Sequence, residues 1–389
     1  MTTRAAHAGQ TSVGDQVLYM ALELSNTTWK VLFASPADKR RECNVPARDV
    51  KGLMAAIATG KQRLGLSPQS RVLACQEAGR DGFWIDRALK ANGIDSLVVD
   101  SSSIEVQRRA RHRKTDRLDL VKLMALLKRW AGGESGVWSV VRVPDEAAED
   151  VRQLSRAIDR LKHESKQHKS RIKSLLATQG VRQGSVGGRN WVKRVDGLRR
   201  WDGRPLSLHA QRDLITQGER LDLVERQLTA LQAERDQLVE TSPAPAAVTA
   251  RQLARLGAIA QESSFVFSTE VFGWRTFANR RELAASVGLA PTPFRSGDIA
   301  REQGVSKAGN RRMRTMLVEI AWCWLRYQKD SALACWWRHR FGRTTGRARK
   351  SGIVALARKL LVALWRYLEH GVVPEGATVK TPKARRAVA

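Results

Sequence analysis

Two apolar-rich runs near the start of the chain, residues 17–24 (VLYMALEL) and 29–34 (WKVLFA), read as strands. The polar stretch Ser25-Asn26-Thr27-Thr28 between them reads as a hairpin turn, and a third strand is expected near 40–46. Over 48–64 the period changes, and Val50, Leu53, Met54, Ile57 and Leu64 recur at helical spacing. A short apolar strand follows at 71–76 and ends at Glu77. A helix is expected over 82–91, stopped by Asn92-Gly93, then a buried strand over 96–100 and a helix over 115–130 with Thr115 as its N-cap. Strands that lead into helices in this order predict a mixed sheet covered by helices, an α/β fold, and exclude an all-α or all-β one.

Further on the rhythm is that of long helices. Val151, Leu154, Ile158, Leu161, Ile172 and Leu175 fall at steps of three and four, with Ser165 and His168 as polar interruptions. Leu214, Leu221, Val224, Leu228, Leu231 and Leu238 repeat the pattern, interrupted by Gln217 and Arg235. Such spacing predicts a coiled-coil hairpin or dimerising arm, or else two amphipathic helices packed in one bundle. Between them, residues 180–206 are rich in Gly and Arg and carry Trp191 and Trp201. They read as a flexible basic loop, either simply solvated or able to stack on unpaired bases. Ser242-Pro243-Ala244-Pro245-Ala246 reads as a linker. From 249 the chain is expected to be helical and basic, with amphipathic helices at 311–327 and 353–369, core tryptophans Trp322, Trp324 and Trp365, and a basic connector at 343–350. The ends, residues 1–15 and the tail from about 371, are expected to be disordered.

Charge narrows the partners. Lys plus Arg number 68 against 38 Asp plus Glu, a formal net charge of +30 over 389 residues. That is far more of one sign than solubility requires, and it favours a polyanion. A membrane is disfavoured, since no run of eighteen apolar residues exists and residues 1–16 lack the apolar core of a signal peptide. Nucleic acid is the expected partner. The cysteines Cys43, Cys75, Cys323 and Cys335 form no Cys-x-x-Cys pair, which argues against a zinc ribbon and fits a reduced, cytoplasmic setting.

Four carboxylates carry the chemistry. Asp116 and Asp119, three apart, share one helix face; Glu77 stands where a short strand ends; Glu23 is buried by pattern between Leu22 and Leu24. Each has an ordinary reading: Asp116 as a first-turn acid, Asp119 as an ion-pair partner, Glu77 as an exposed strand end. Glu23 is harder to dismiss, because an acid inside an apolar strand is costly without a partner. Converging, the four would repel one another unless cations neutralised them, and hard oxygen ligands select Mg²⁺ or Mn²⁺ for phosphodiester chemistry.

These residues resemble a family. Glu23, Glu77 within CQEAGRDGFW, and Lys114-Thr115-Asp116-Arg117-Leu118-Asp119 are similar to the DEDD signature of transposases of the IS-110 group of insertion sequences. So are Val143-Pro144 before a long charged helix, Gly288-Leu289-Ala290-Pro291, Arg295-Ser296-Gly297, and Ser306-Lys307-Ala308-Gly309-Asn310 with Arg314. The resemblance spans about residues 17–370. It implies an RNase H-like, RuvC-type domain over 16–132, a coiled-coil arm over 133–245 and a mainly α-helical transposase domain over 246–370. It implies that Glu23, Glu77, Asp116 and Asp119 bind metal and that Ser296 is the nucleophile, with Ser306 the weaker candidate. It further implies a homo-oligomer, dimer or tetramer, and a structured guide RNA that selects DNA. Arg113, Lys114, Arg295, Arg301, Lys307, Asn310 and Arg314 are the expected nucleic-acid contacts. Two positions depart from the family. Glu23 stands where Asp is usual, and Leu256-Gly257-Ala258-Ile259-Ala260 stands where a Pro-Gly-Ile-Gly turn is expected.

The expected function is therefore a metal- and serine-dependent DNA recombinase. A nuclease that hydrolyses with metal-activated water would not need Ser296. A non-catalytic nucleic-acid-binding descendant of a transposase is suggested by Glu23.

Overall fold

The computed structural model describes residues 17–79, 81–104, 116–296 and 299–380. The side chains of Ser102, Asp116, Arg117 and residues 293–296 and 299–303 fall outside that description. So do the expected N-terminal tail, Arg113, Lys114 and Thr115. The chain divides into two compact units, Met1–Pro144 and Asp145–Ala389.

The first unit is built on a five-stranded sheet in the order β3-β2-β1-β4-β5. Strands β1 (Val17–Glu23), β2 (Thr28–Ala34) and β3 (Arg40–Pro46) form an antiparallel meander. Helix α1 (Val50–Arg63) leads to β4 (Arg71–Glu77), and α2 (Trp84–Ala91) leads to β5 (Asp95–Val99). Both of these strands run parallel to β1 or to each other. Asp49 starts α1 by accepting a hydrogen bond from the Gly52 amide at 2.8 Å, and Asn92-Gly93 ends α2 as expected, with Gly93 at φ +73°.

The strands' alternation sorts their side chains into two cores. Leu18, Met20 and Leu22 pack with Leu53, Ile57, Ile85 and Leu89 on one face. Ala21, Leu73, Cys75 and Val99 pack on the other, against Leu120, Leu123, Met124 and Leu127 of α3 (Asp116–Ala131). The unit runs past residue 132, because Val137 and Trp138 join this second core and Val141 bonds the Val98 carbonyl at 2.7 Å.

In the second unit α4 (Glu146–Thr178) and α6 (Leu208–Thr241) are the two long helices. They pair antiparallel within one chain: Ile172 and Leu176 pack with Leu214 and Leu221, while Val151 and Leu154 pack with Leu238 and Val239. The polar interruptions meet as well, since His168 Nδ1 lies 3.0 Å from Gln217 Oε1. The stretch between them is less open than expected. It folds a helix, α5 (Trp191–Gly197), and Trp191 is core, only 2% exposed, with its indole N–H donated to the Leu214 carbonyl at 2.8 Å. Trp201 remains 75% exposed.

The expected linker is instead a tight joint. Pro245 opens α7 (Pro245–Ala254), and Ala246 and Ala247 are buried. Next come α8 (Gln261–Phe267), a π-helical turn over Ser268–Phe272, and α9 (Arg280–Ser286). An antiparallel hairpin follows, β6 (Pro291–Ser296) with β7 (Ile299–Val305), where helix was expected throughout. Helices α10 (Arg311–Tyr327), α11 (Ala332–Phe341) and α12 (Gly346–His370) complete the unit. The supposed basic connector is mostly the first turns of α12. Trp324 is buried in the core and Trp365 packs partly against it, but Trp322 is 41% exposed, covered on one side by Arg349. Nor is the start of the tail loose. The Thr378 carbonyl accepts from the Gly257 amide at 3.0 Å, and Lys380 Nζ donates to the carbonyls of Ala254 and Ile259 at 3.0 and 2.7 Å. No described helix is long and apolar enough to cross a membrane.

Candidate catalytic and nucleic-acid-binding sites

The parallel pairing of β1 with β4 sets Leu22 opposite Gln76, so the next residues, Glu23 and Glu77, end adjacent strands side by side. Both lie at odd positions, on the face that Ala21 and Cys75 give to α3. Helix α3 runs antiparallel to these strands. Near its C-terminus Lys128 donates to the Ser35 carbonyl at 2.9 Å and lies over the Tyr19 ring, whereas mid-helix Leu123 has its carbonyl 3.9 Å from Cys75 Sγ. The N-terminal end of α3, with Asp116 and the half-buried Asp119, therefore points to the end of the sheet where Glu23 and Glu77 stand.

Glu23 is not buried within its strand. It is the last residue of β1, half-buried, and faces Lys30 across the hairpin register. That placement removes the desolvation argument made for it. The donor set still suits a hard divalent cation, being carboxylate throughout. Among the described residues no three His, Cys, Asp or Glu side chains already stand together as a metal-binding group; the expected set includes Asp116, whose side chain is not described.

The C-terminal motifs build a frame around the hairpin. Gly288-Leu289-Ala290 and Ser306-Lys307 bond to each other: Ser306 N–H donates to the Ala290 carbonyl at 2.9 Å and Lys307 N–H to the Gly288 carbonyl at 3.1 Å. Gly309, at φ +91°, is required there, because a Cβ would sit 2.4 Å from the Ser286 carbonyl oxygen. Ser296 ends β6, paired with Ile299, and Arg295 and Arg301 lie on the two strands beside it; their side chains are among those not described. Ser306 and Lys307 are exposed, Lys307 at φ +57°.

Asn310 and Arg314 are committed within the fold. Asn310 caps α10 by accepting from the Met313 amide at 2.9 Å and donates to Glu270 Oε2 at 2.7 Å. Arg314 donates to the Val287 carbonyl at 2.9 Å.

Glu270, in the π-helical turn, was not singled out by sequence. It is fully buried, yet it accepts hydrogen bonds from Arg156 Nε and Nη2 at 3.1 and 3.2 Å, Arg312 Nη1 at 2.9 Å and Asn310. Burial pushes its pKa upward, but these hydrogen bonds and the Arg156 charge outweigh burial and hold it at about 2, below the ordinary 4.5. Arg312 also grips Asp159 and donates to the Ser155 hydroxyl and carbonyl at 2.9 and 2.8 Å. The partners are some 40 to 157 residues apart in sequence, so no local motif announces them.

The sequence of the chain is similar to those of known proteins. A family model described as "Transposase IS116/IS110/IS902 family" matches residues 250–335. The chain is 42% identical over 377 residues, 94% of its own length and 95% of the relative's, to "Putative transposase y4rJ" of Sinorhizobium fredii (strain NBRC 101917 / NGR234). It is 30% identical over 251 residues, 64% of its length and 58% of the relative's, to "Putative transposase y4qE" of the same organism.

Proposed function

The chain belongs to the IS116/IS110/IS902 family of transposases, and on that premise we propose that it cuts and rejoins DNA with a carboxylate site at the end of its N-terminal sheet and with Ser296 as nucleophile. The observation that carries this reading is the side-by-side placement of Glu23 and Glu77 at the ends of adjacent parallel strands, on the face toward which α3 brings Asp119. The order of that sheet is compatible with an RNase H-like domain of RuvC type.

In this reading Glu23, Glu77, Asp116 and Asp119 would hold Mg²⁺ or Mn²⁺. Such an ion, when bound, neutralises charge at the phosphodiester and favours an ionised attacking oxygen. Ser296 Oγ forms an ester with the phosphorus, and the displaced deoxyribose oxygen leaves with a proton. Attack by a hydroxyl of another strand reverses the step and frees the serine, so the number of phosphodiester bonds is conserved. The neighbouring Arg295 and Arg301 remain cationic and serve as phosphate contacts rather than as bases. A structured RNA that selects the DNA, and assembly of the chain with further copies, belong to the same proposal; the formal charge of +30 supports a polyanionic partner.

Suicide DNA substrates test it. The wild type should accumulate a covalent protein–DNA adduct that maps to Ser296, and Ser296→Ala should form none while still binding DNA. Normal strand transfer by Ser296→Ala, or an adduct at another residue, would end the serine assignment. Lys30 opposite Glu23 favours one second reading, in which Glu23 serves a cross-strand pair and the chain binds nucleic acid without cutting it. Wild-type protein that binds DNA but never cleaves it with Mg²⁺ or Mn²⁺ would support that reading.

A further inference from the structure

An open cleft of about 440 Å³ separates α4 from the start of α10. It is lined by Arg156, Arg160, Arg311 and Arg312, with Asp159 and Asn310. Arg156 and Arg160 are four residues apart and so share one face of α4, while Arg311 and Arg312 form the first turn of α10, which contains no acid. Cations are normally unfavourable there, since a helix N-terminus already presents positive partial charge.

The cluster has an inner and an outer layer. Glu270 lies beneath it, fully buried, and fixes the guanidinium groups of Arg156 and Arg312. Arg312 is further held by Asp159 and Ser155. This inner layer accounts for two arginines by the needs of packing. It does not account for Arg160 and Arg311, which are exposed and enter no ion pair among the described residues. Four guanidinium groups face the carboxylates of Glu270 and Asp159, and Glu149 also acts on Arg156, so the cluster keeps a positive surplus. Glu270 also sits in a π-helical turn, an irregularity that is uncommon and frequent at functional sites.

We propose that this cleft seats the backbone phosphates of a nucleic-acid strand, with Arg160 and Arg311 making the phosphate contacts and the buried Glu270 network fixing α4 and α10, the helices that carry them. The guanidinium groups of Arg160 and Arg311 are exposed and outside the buried network, and such groups match phosphate oxygens in bidentate geometry. Phosphate is favoured over a carboxylate-bearing peptide because the N-terminal turn of α10 adds the positive end of a helix, which suits a compact tetrahedral anion. The site rests on the reading of the chain as a nucleic-acid enzyme, but it makes a separate claim about binding.

The experiment measures binding by the full chain across a salt series, by fluorescence anisotropy. The probes are single-stranded DNA, duplex DNA and an RNA hairpin. The Arg160→Ala/Arg311→Ala double variant should weaken binding of at least one probe about tenfold or more. The slope of log affinity against log salt should shrink by about 1.4–1.8, the loss of two phosphate contacts. The probe with the largest loss identifies the strand the cleft holds. Thermal stability should not fall, because both side chains lie outside the Glu270 network and removing Arg311 relieves an unfavourable cation at the helix N-terminus. The control removes Arg220 and Arg226, exposed on α6 among Glu219, Asp222 and Glu225. An unchanged slope in the cleft variant, or an equal loss in the control, would overturn the proposal. A wild type that binds with the expected slope but transfers no strand would fail the recombinase reading and leave the cleft standing.

Discussion

Glu77 and Glu270 are two glutamates with opposite surroundings. Glu270 is sealed in the interior and accepts hydrogen bonds from Arg156, Arg312 and Asn310. Glu77 is half-buried at the end of a strand, beside Glu23 and on the side of the sheet that Asp119 approaches. A carboxylate saturated by cations of its own chain holds a fold together. In the function proposed above, Glu77 would join carboxylates of its own sign, an arrangement that is costly until a cation arrives from outside. The first arrangement predicts a stability defect when broken and the second a defect in chemistry.

Glutamine at each position puts that contrast to its hardest test. Glu77→Gln should reduce strand transfer about 10³-fold or more, roughly 4 kcal/mol of transition-state stabilisation, with the unfolding midpoint unchanged. Glu270→Gln should cost roughly 3 kcal/mol of stability at neutral pH, the equivalent of a pKa held at about 2 instead of 4.5. The sign follows from the direction of the shift. A folded pKa below the unfolded one gives stability that is complete above about 4.5 and is lost as pH falls toward 2. Urea denaturation between pH 7 and pH 3 should therefore show the advantage of the wild type over Glu270→Gln holding down to about pH 5 and roughly halved or more by pH 3. If Glu77→Gln lowers the unfolding midpoint but leaves strand transfer at the wild-type rate, the distinction between the two glutamates is wrong.

The same contrast explains what could be read from the chain alone. The strands and helices of the first unit were legible because alternation and helical spacing act over neighbouring residues, and Glu77 at the end of RVLACQ and the Asp116–Asp119 spacing stood out for that reason. Glu23 was misjudged by one position's worth of burial: Leu24 continues the apolar pattern, but pairing stops at Glu23 because the chain turns into the hairpin. Glu270 was invisible, since nothing near it in sequence suggests that Arg156 and Arg312 will close on it from distant helices. Residues 291–305 were missed as strands for another reason. Their prolines and glycines dilute the strand signal, and pairing across the hairpin, with an irregularity between Pro291 and Pro293, supplies what local propensity does not.

Two tryptophans sharpen the comparison at intermediate size. Trp191 is enclosed by the pair of long helices, so closely that a Cβ on Gly218 would lie 2.0 Å from its ring. Trp191→Ala should cost about 3 kcal/mol of stability, as expected for truncating a buried tryptophan. Trp201 is exposed and its neighbours Arg200 and Arg204 are gathered by Asp202. Its free face is of the kind that stacks on an unpaired base. Trp201→Ala should leave stability unchanged and weaken binding of single-stranded DNA or RNA by about 1–3 kcal/mol, roughly 5- to 150-fold. Equal affinity in anisotropy titrations of the variant and wild type would return this segment to an ordinary solvated surface.

The smallest effect concerns backbone strain at the departure from the family's glycine-rich turn. Ala258 adopts φ +70°, the left-handed region that favours glycine. The flanking Leu256 and Ile259 are fully buried, and the Gly257 amide is bonded to the Thr378 carbonyl, so the turn cannot relax without disturbing both the core and the tail strap. Alanine thus keeps the shape of the turn and carries the strain of an L side chain in it. Ala258→Gly removes a penalty of about 1–2 kcal/mol and adds back roughly 0.4–1 kcal/mol of chain entropy in the unfolded state. The expected net gain is about 0.5–1 kcal/mol, read as a higher denaturant midpoint with an unchanged slope. A lower midpoint would mean that the surrounding contacts, and not the side chain at this position, set the left-handed conformation. DNA affinity supplies the second readout. A glycine that strengthens DNA binding as well as folding would show that the missing Cβ opens a backbone approach to phosphate, whereas a gain in stability alone assigns the turn to architecture.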